Sequence, residues 1–430
     1  MKAQRHPLIK QQGEILQFDL DPAQRENVNT LLAVCWFEAP YEDEIVSKAL
    51  NLILKHEQAL RLRVGRAGGQ YVQYEQEYVR ESIPTADYGS DDEAQVRARF
   101  EALAQEPIPL LDSPLYQLAI FHYGQGIGVS LKFHHIIMDG WSLALFAQQL
   151  MDYCKALAEG RSPQPEKHDF TDCVTAILQR YCSSRYEKDR RYWRDLFAQQ
   201  PILCRMRPDR PQVEESEGDR VQVPLDRQLS RRINDHCGQL NISPAVLFET
   251  ALLLHLYRQN PGCSRVDIGQ NMMNRGDLME KDRLGMFTAE RMLCVNLHDE
   301  DLIADVYRKI KESNMEAYYH GLCLHDEVLE LAQAQHPQVA AIRDAEFSYL
   351  PCGDLKQRGC RMEWIANGTP EVSLEFTLFH MNDPDEFTVI FDYRKSAFTR
   401  EEAEETLGRI IALAEKAMED TNQKVGEVIR

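Results

Sequence analysis

With 430 residues, 43% of them hydrophobic and 9% aromatic, the chain has ample material for a buried core and is longer than one core of ordinary size, so two lobes are expected. Its 49 Lys and Arg stand against 68 Asp and Glu, a net charge of -19 with no long basic cluster, which argues against nucleic acid as a partner. Eleven scattered cysteines without a CxxC pair, no apolar leader and no apolar run near the ~20 residues that cross a bilayer point to a cytoplasmic protein off the membrane.

From Glu44 to Lys55 the apolar pairs Ile45/Val46, Ala49/Leu50 and Ile53/Leu54 recur at the four-residue spacing of an amphipathic helix. The following ALRLRV, Ala59 to Val64, alternates Leu60, Leu62 and Val64 with Arg61 and Arg63 and is predicted as a half-buried strand. LYQLAIFHY and IGVSLKF flank the turn Gly124-Gln125-Gly126, a β-hairpin; its glycines lack the spacing and the following helix of a dinucleotide loop. HHIIMDG comes next, then a helix predicted from Ser142 to Glu159, with Leu143, Phe146, Leu150 and Leu157 on one side and Gly160 as its stop. The polar, proline-bearing stretch Gly160 to Asp169 sets the expected boundary between an N-terminal lobe, 1–170, and a C-terminal lobe, 171–430.

In the second half, Ser243-Pro244 caps and opens a helix whose near-continuous apolarity suits burial between layers, ending at Asn260-Pro261-Gly262. VDIGQNMM and EFTVIFDY are predicted strands, and Thr399 with Glu402 in capping-box spacing opens the last helix. Helices and strands alternate in both halves, so the class is α/β, or mixed α+β.

Chemistry concentrates at HHIIMDG. Strand parity through Ile127, Val129, Leu131 and Phe133 predicts His135 on the apolar side and His134 on the other, which does not make a joint metal site. An isolated histidine is more often a satisfied core residue. Here the whole string, leading into Trp141 and Ser142, favours acid/base work by an imidazole tuned by modest burial. Asp139 is close enough to brace the turn, and Gly140 permits close backbone approach. There is no GxSxG elbow and no cysteine near the motif to serve as a nucleophile.

HHIIMDG resembles the HHxxxDG hallmark of the condensation domains of nonribosomal peptide synthetases, relatives of chloramphenicol acetyltransferase-like enzymes. ALRLRV, RYWRDLF (Arg191 to Phe197), GQNMMNRG leading to GMF (Gly269 to Phe287) and FDYR (Phe391 to Arg394) are similar to further family landmarks in the same order, so the resemblance covers essentially the whole chain. It implies two chloramphenicol acetyltransferase-like lobes in a V with a central tunnel, and acyl transfer from a thioester to an amine. No cofactor is expected on the chain itself. Substrates would arrive on the phosphopantetheine of acyl and peptidyl carrier proteins, or on CoA, with an adenylation domain as an adjoining partner and the chain itself a monomer. Residue by residue, the resemblance implies His135 as the catalytic group, base or positioner of the amine. It implies His134, Asp139 and Arg275 as support, Arg275 pairing with Asp139 across the lobes, and Gly140, Trp141, Ser142, Gly285 and Met286 at the substrate.

ALRLRV in place of HExLRTxF, together with NRGDLMEKDRLGMF, EFSYLP (Glu346 to Pro351) and FHMNDPDEFTVIFDYR, looks more like the starter subclass, which acylates the first aminoacyl carrier protein. After GMF the family pattern has small polar residues and an apolar-Pro step. This chain has Thr288 to Leu293 instead, with Glu290 and Arg291 expected as a solvated pair or, alternatively, as part of an unusual substrate entrance. The closing NQKVGEVIR looks like the start of a connector to a following domain. The alternatives are a peptide-bond-forming elongation domain, an acyl-CoA-dependent small-molecule acyltransferase and a non-catalytic carrier-docking module. The further motifs of an epimerisation domain are not seen, and cyclisation domains carry an Asp-based motif instead.

Overall fold

A computed structural model describes residues 4–22, 25–164, 169–199, 203–211, 217–276, 278–351 and 353–430. Helix α1 (Lys10–Leu20) leads to strand β1 (Thr30–Phe37) and helix α2 (Asp43–His56). Strand β2 (Thr85–Asp87), the hairpin of β3 (Tyr116–Tyr123) and β4 (Gly126–His134), and helix α3 (Gly140–Ala158) follow. The apolar period of α2 buries Val46, Ala49, Leu50, Ile53 and Leu54, and its acidic first turn and basic last turn complement the helix dipole. The hairpin forms as its alternation and glycine turn predict.

The second half runs β5 (Gly218–Pro224), α4 (Pro244–Gln259), β6 (Arg265–Met272), β7 (Ala289–Asn296) and α5 (His325–Gln335). It ends with β8 (Ala345–Leu350), β9 (Cys360–Ile365), β10 (Leu374–Asp383), β11 (Glu386–Arg394) and α6 (Arg400–Glu419). Six strands form one sheet in the order β7-β6-β8-β10-β11-β5, with β8 parallel to both of its neighbours. Ser243 caps α4, and Thr399 with Glu402 forms the capping box of α6. The two helices share the second core with this sheet, through Phe248, Leu252 and Leu253 on α4 and Leu407 and Ile410 on α6.

The first sheet has the order β9-β1-β4-β3-β2. Its edge strand β9 comes from the second half of the chain and pairs antiparallel with β1, from Cys360 opposite Phe37 to Ile365 opposite Leu32. Phe170, Val174 and Ile177 likewise pack into the first core, between this sheet and helices α1 to α3.

Two local expectations need correction. ALRLRV is not one alternating strand: Gln58–Arg61 is helical, the strand runs Leu62–Ala67, and both arginines are buried. The reason is capping, since Arg61 Nη1 donates to the carbonyls of Leu54 and Lys55, each at 2.7 Å, satisfying the end of α2. Helix α3 starts at Gly140, two residues before the expected Ser142, because Asp139 is its N-cap and accepts from Ser142 N at 2.8 Å.

Candidate active site

The strand bearing HHIIMDG ends at His134, and the backbone turns at once into a 3-10 turn over His135–Ile137. Strand parity therefore does not decide where His135 points, and β4 is buried on both faces. The turn itself separates the two rings.

His134 is buried. Its Nδ1 accepts from Ile136 N at 3.2 Å, which leaves the proton on Nε2, 2.7 Å from Asp19 Oδ2. Asp19 also accepts from Asn29 Nδ2 at 2.5 Å, and Asn29 O accepts from His135 N at 2.8 Å, so α1, the loop before β1 and the motif form one unit. Gln12, buried on α1, donates to Ile136 O at 3.1 Å. Asp19 and Gln12 carry no signal in the sequence, because their partner is more than a hundred positions away.

His135 is half-buried and lines a cavity of about 600 Å³ between the two sheets. Burial pushes its pKa below the ordinary 6.5, outweighing the charge of Asp139 and the carbonyls of His135 and Met138, which act the other way. The ring is therefore neutral at neutral pH. Nδ1 is buried without a well-formed hydrogen bond, and Nε2 is the nitrogen left to the cavity. Apolar wall is supplied by Ile15, Leu31, Met286, Leu350 and Trp364.

Behind His135 sits a buried brace. Arg275 Nη2 donates to Asp139 Oδ1 at 2.9 Å and Oδ2 at 3.1 Å and to Ser142 Oγ at 2.7 Å, while Nη1 reaches the carbonyls of Glu280 and Arg283. Asp139 further accepts from the N–H groups of Phe287 and Thr288 at 3.0 and 3.2 Å. Burial pushes the Asp139 pKa up, but Arg275 and the hydrogen bonds from Ser142 and Phe287 more than offset it and hold the carboxyl below its usual range. Ser142 Oγ also donates to Gly285 O at 2.9 Å and accepts from Gly285 N at 3.0 Å. The α3 N-terminus of the first half is thus bolted to the segment around Arg275 and Gly285 of the second.

Of the residues expected at substrate, Gly140, Trp141 and Met286 line the cavity. Trp141 Nε1 donates to Lys281 O at 2.9 Å, fixing the indole at the rim. Ser142 and Gly285 do not line it and belong to the brace, because Ser142 Oγ, in the first turn of α3, is consumed by Arg275 and Gly285.

Glu290 and Arg291 are not a solvated pair. Strand β7 sends them to opposite faces: Glu290 lines the cavity and pairs with Arg343, Nη2 to Oε2 2.6 Å, whereas Arg291 is buried and donates to Asn274 Oδ1 at 3.2 Å. Of the alternative expectation, a pair at a substrate entrance, only the Glu290 half reaches the cavity. Arg343 itself, reaching toward Glu346 and Glu371 as well, was invisible in the sequence.

Residues 4–429 match the family model for the condensation domain. The chain belongs to the condensation-domain family. Condensation domains are the acyltransferases of nonribosomal peptide synthetases. Among relatives of this condensation domain, surfactin synthase subunit 1 of Bacillus subtilis (strain 168) is 24% identical over 396 residues, which cover 89% of this chain and 11% of the relative. Bacitracin synthase 3 of Bacillus licheniformis is 23% identical over 389 residues, 88% of this chain and 6% of the relative. The domain therefore spans only a small part of the length of these synthetases. Among solved structures, the first condensation domain of the CDA synthetase superposes with a TM-score of 0.88 at 19% identity, covering 99% of this chain and 98% of that one. A mutant of the starter condensation domain of rhizomide synthetase, in complex with C8-CoA, superposes with a TM-score of 0.86 at 19% identity, covering 98% and 96%.

Proposed function

We propose that this condensation domain forms an amide bond by attack of a carrier-bound aminoacyl amine on an acyl thioester, N-acylating the first aminoacyl unit of a nonribosomal peptide. The observation that carries the reading is the neutral imidazole of His135, open to a cavity whose walls come from both sheets. Two substrates can meet there out of bulk water, which supplies the proximity that aminolysis needs.

The amine nitrogen bonds to the thioester carbon, and the carbonyl π electrons move to oxygen. His135 Nε2 orients the amine and takes the proton the nitrogen sheds. The tetrahedral intermediate then collapses, the C–S bond breaks, and the proton passes to the departing sulfur. No acyl-enzyme forms. Asp139 and Arg275 act as positioning residues that hold the turn bearing His135. The starter assignment is supported by the starter-domain neighbour that binds C8-CoA and by the starter-like segments of the sequence. In this reading the thioesters are carried on phosphopantetheine of acyl and peptidyl carrier proteins or on CoA, an adenylation domain adjoins, and the protein works as a cytoplasmic monomer.

The test is intact-mass measurement of acyl transfer onto an aminoacyl carrier protein, with a panel of short and long acyl-CoAs and acyl-carrier thioesters. His135→Ala should lower the rate by about 10²–10⁴-fold while the fold persists. Unchanged turnover in that variant would sink the role of His135. Absence of product from every donor would leave a docking module in place of an enzyme, and transfer only onto a peptidyl donor would favour an elongation domain.

A further inference from the structure

One face of α1 lines the cavity through Gln11, Glu14, Ile15 and Phe18, the i, i+3, i+4, i+7 spacing of a helix stripe. Its two apolar members continue the wall near His135. Its two polar members are chemically unfinished. Gln11 is only 2% exposed; its Nε2 donates to Tyr181 Oη at 3.3 Å, and its Oε1 is buried with no partner. The Glu14 carboxyl accepts no hydrogen bond and joins no ion pair among the described residues. Burial pushes its pKa up to about 9, helped by the charges of Asp326, Glu290 and Glu327 and opposed by that of Arg291.

Glu290, already paired with Arg343, and the His325-Asp326 pair at the start of α5, with Nδ1 to Oδ1 3.1 Å and His325 Nε2 unpartnered, line the same cavity, and the charges of Glu290 and Asp326 act on Glu14. Around the whole cavity, nine carboxylates face three arginines. The Arg343 guanidinium at this end is engaged by Glu290, and no cation is paired with Glu14 among the described residues. A fatty acyl chain would leave the Gln11 oxygen and the Glu14 carboxyl without partners in a dry site, and a carboxylate would meet the charges of Glu290 and Asp326. A cation with several N–H donors satisfies both demands.

We infer that the Gln11, Glu14 and Glu290 end of the cavity holds the cationic side chain, an ammonium or a guanidinium, of the aminoacyl substrate. The inference rests on the amide-forming reading above for the presence of an aminoacyl substrate, and it adds that substrate's class: a basic residue. Entry of the cation ionises Glu14, so binding releases a proton from the protein. Ile15 and Phe18, one turn on, receive the methylene stem.

The experiment compares the stable pantetheine amides of lysine and of norleucine, which differ by the terminal ammonium, in calorimetric titrations of the full chain. The lysine probe should bind about tenfold more tightly or better, as for a site built to pair with a group its analogue lacks. Glu14→Gln should erase that preference, and titration in buffers of different ionisation heat should show proton release in the parent chain and none in the variant. Should Glu14→Gln fail to fold, Gln11→Leu carries the same comparison and should lower the preference. Equal affinity for the two probes, a preference unchanged in the variants, or no binding of the lysine probe at millimolar concentration would each overturn the inference. Binding is read without turnover, so failure here leaves the amide-forming reading to be judged by the transfer assay, and failure of transfer leaves this comparison intact.

Discussion

Arg275 Nη2 lies 2.9 and 3.1 Å from the two carboxylate oxygens of Asp139, a residue 136 positions earlier, and both side chains are almost wholly buried. The pair joins the turn that carries His135 to the loop after β6. Its electrostatic value inside the protein is offset by desolvation, so its importance lies in what happens when one partner is lost.

Arg275→Ala and Asp139→Ala are each expected to cost about 3–5 kcal/mol, because each leaves a buried charge without its counter-ion. Chemical denaturation measures this, and the double variant should cost less than the two single losses together. Arg275→Lys should not rescue, since one ammonium cannot reach Asp139 and Ser142 on one side and the Glu280 and Arg283 carbonyls on the other. Full stability in both single variants would refute the brace.

The adjacent histidines should separate cleanly. His134→Ala strands Asp19 and the Ile136 N–H and should lower stability by roughly 1–3 kcal/mol. His135→Ala removes no well-formed hydrogen bond of the ring, so its melting temperature should stay near that of the parent while transfer collapses. The opposite pattern in thermal melts would exchange the roles.

The lowered pKa of His135 sets a direction for pH dependence. The transfer rate should hold as pH falls to the ordinary imidazole value of 6.5 and drop only below it, when the ring finally takes a proton. Stability follows the same sign. An unfolded chain binds the proton at 6.5 while the folded one resists, so this contribution is present above 6.5 and is lost as pH falls below it. His255, buried in α4 with its pKa pushed down to about 4 by burial and by Arg409 and Arg258, adds to the loss between 6.5 and about 4. Carboxyls with raised pKa values, Glu14 among them, gain stability over the same window, so the check is a difference. The parent should lose stability relative to a His255→Leu variant as pH falls from 6.5 to about 4, and a constant difference would contradict the His255 assignment.

Two glycines should respond differently to alanine. At Gly285 an added Cβ would lie 2.3 Å from Phe170 Cδ2 and 2.9 Å from Phe287 Cε2, inside packed aromatic core, so Gly285→Ala should destabilise by about 1–3 kcal/mol. At Gly140 the Cβ would meet Leu350 Cδ2 at 2.7 Å, a flexible side chain on the cavity wall. Gly140→Ala should therefore fold and lose kcat/KM by narrowing the cavity beside His135. Thermal melts paired with transfer kinetics distinguish the two, and a destabilised Gly140→Ala with normal kinetics would count against its place at substrate.

Features with local causes were legible in the sequence alone. The period of α2, the Ser243-Pro244 start of α4, the Thr399-Glu402 box and the glycine turn between β3 and β4 are set by neighbours within a few residues, and each stands where it was expected. The string HHIIMDG marked the turn that brings His135 to the cavity, and its resemblance supplied Arg275 as the partner of Asp139.

Tertiary structure decided the rest. Polar or apolar alternation implies solvent on one side only if nothing else covers it, and in ALRLRV Arg61 turns inward to cap α2 while Arg63 is buried against the carbonyls of Leu60 and Leu62. It also placed β9 on the first sheet, Asp19 on His134 and Arg343 on Glu290. His135 reaches the cavity because the backbone leaves the strand after His134, whose ring the Asp19 carboxylate holds in the core. Such partners are chosen by long-range packing and by the need to pair buried charge, neither of which leaves a period in the chain.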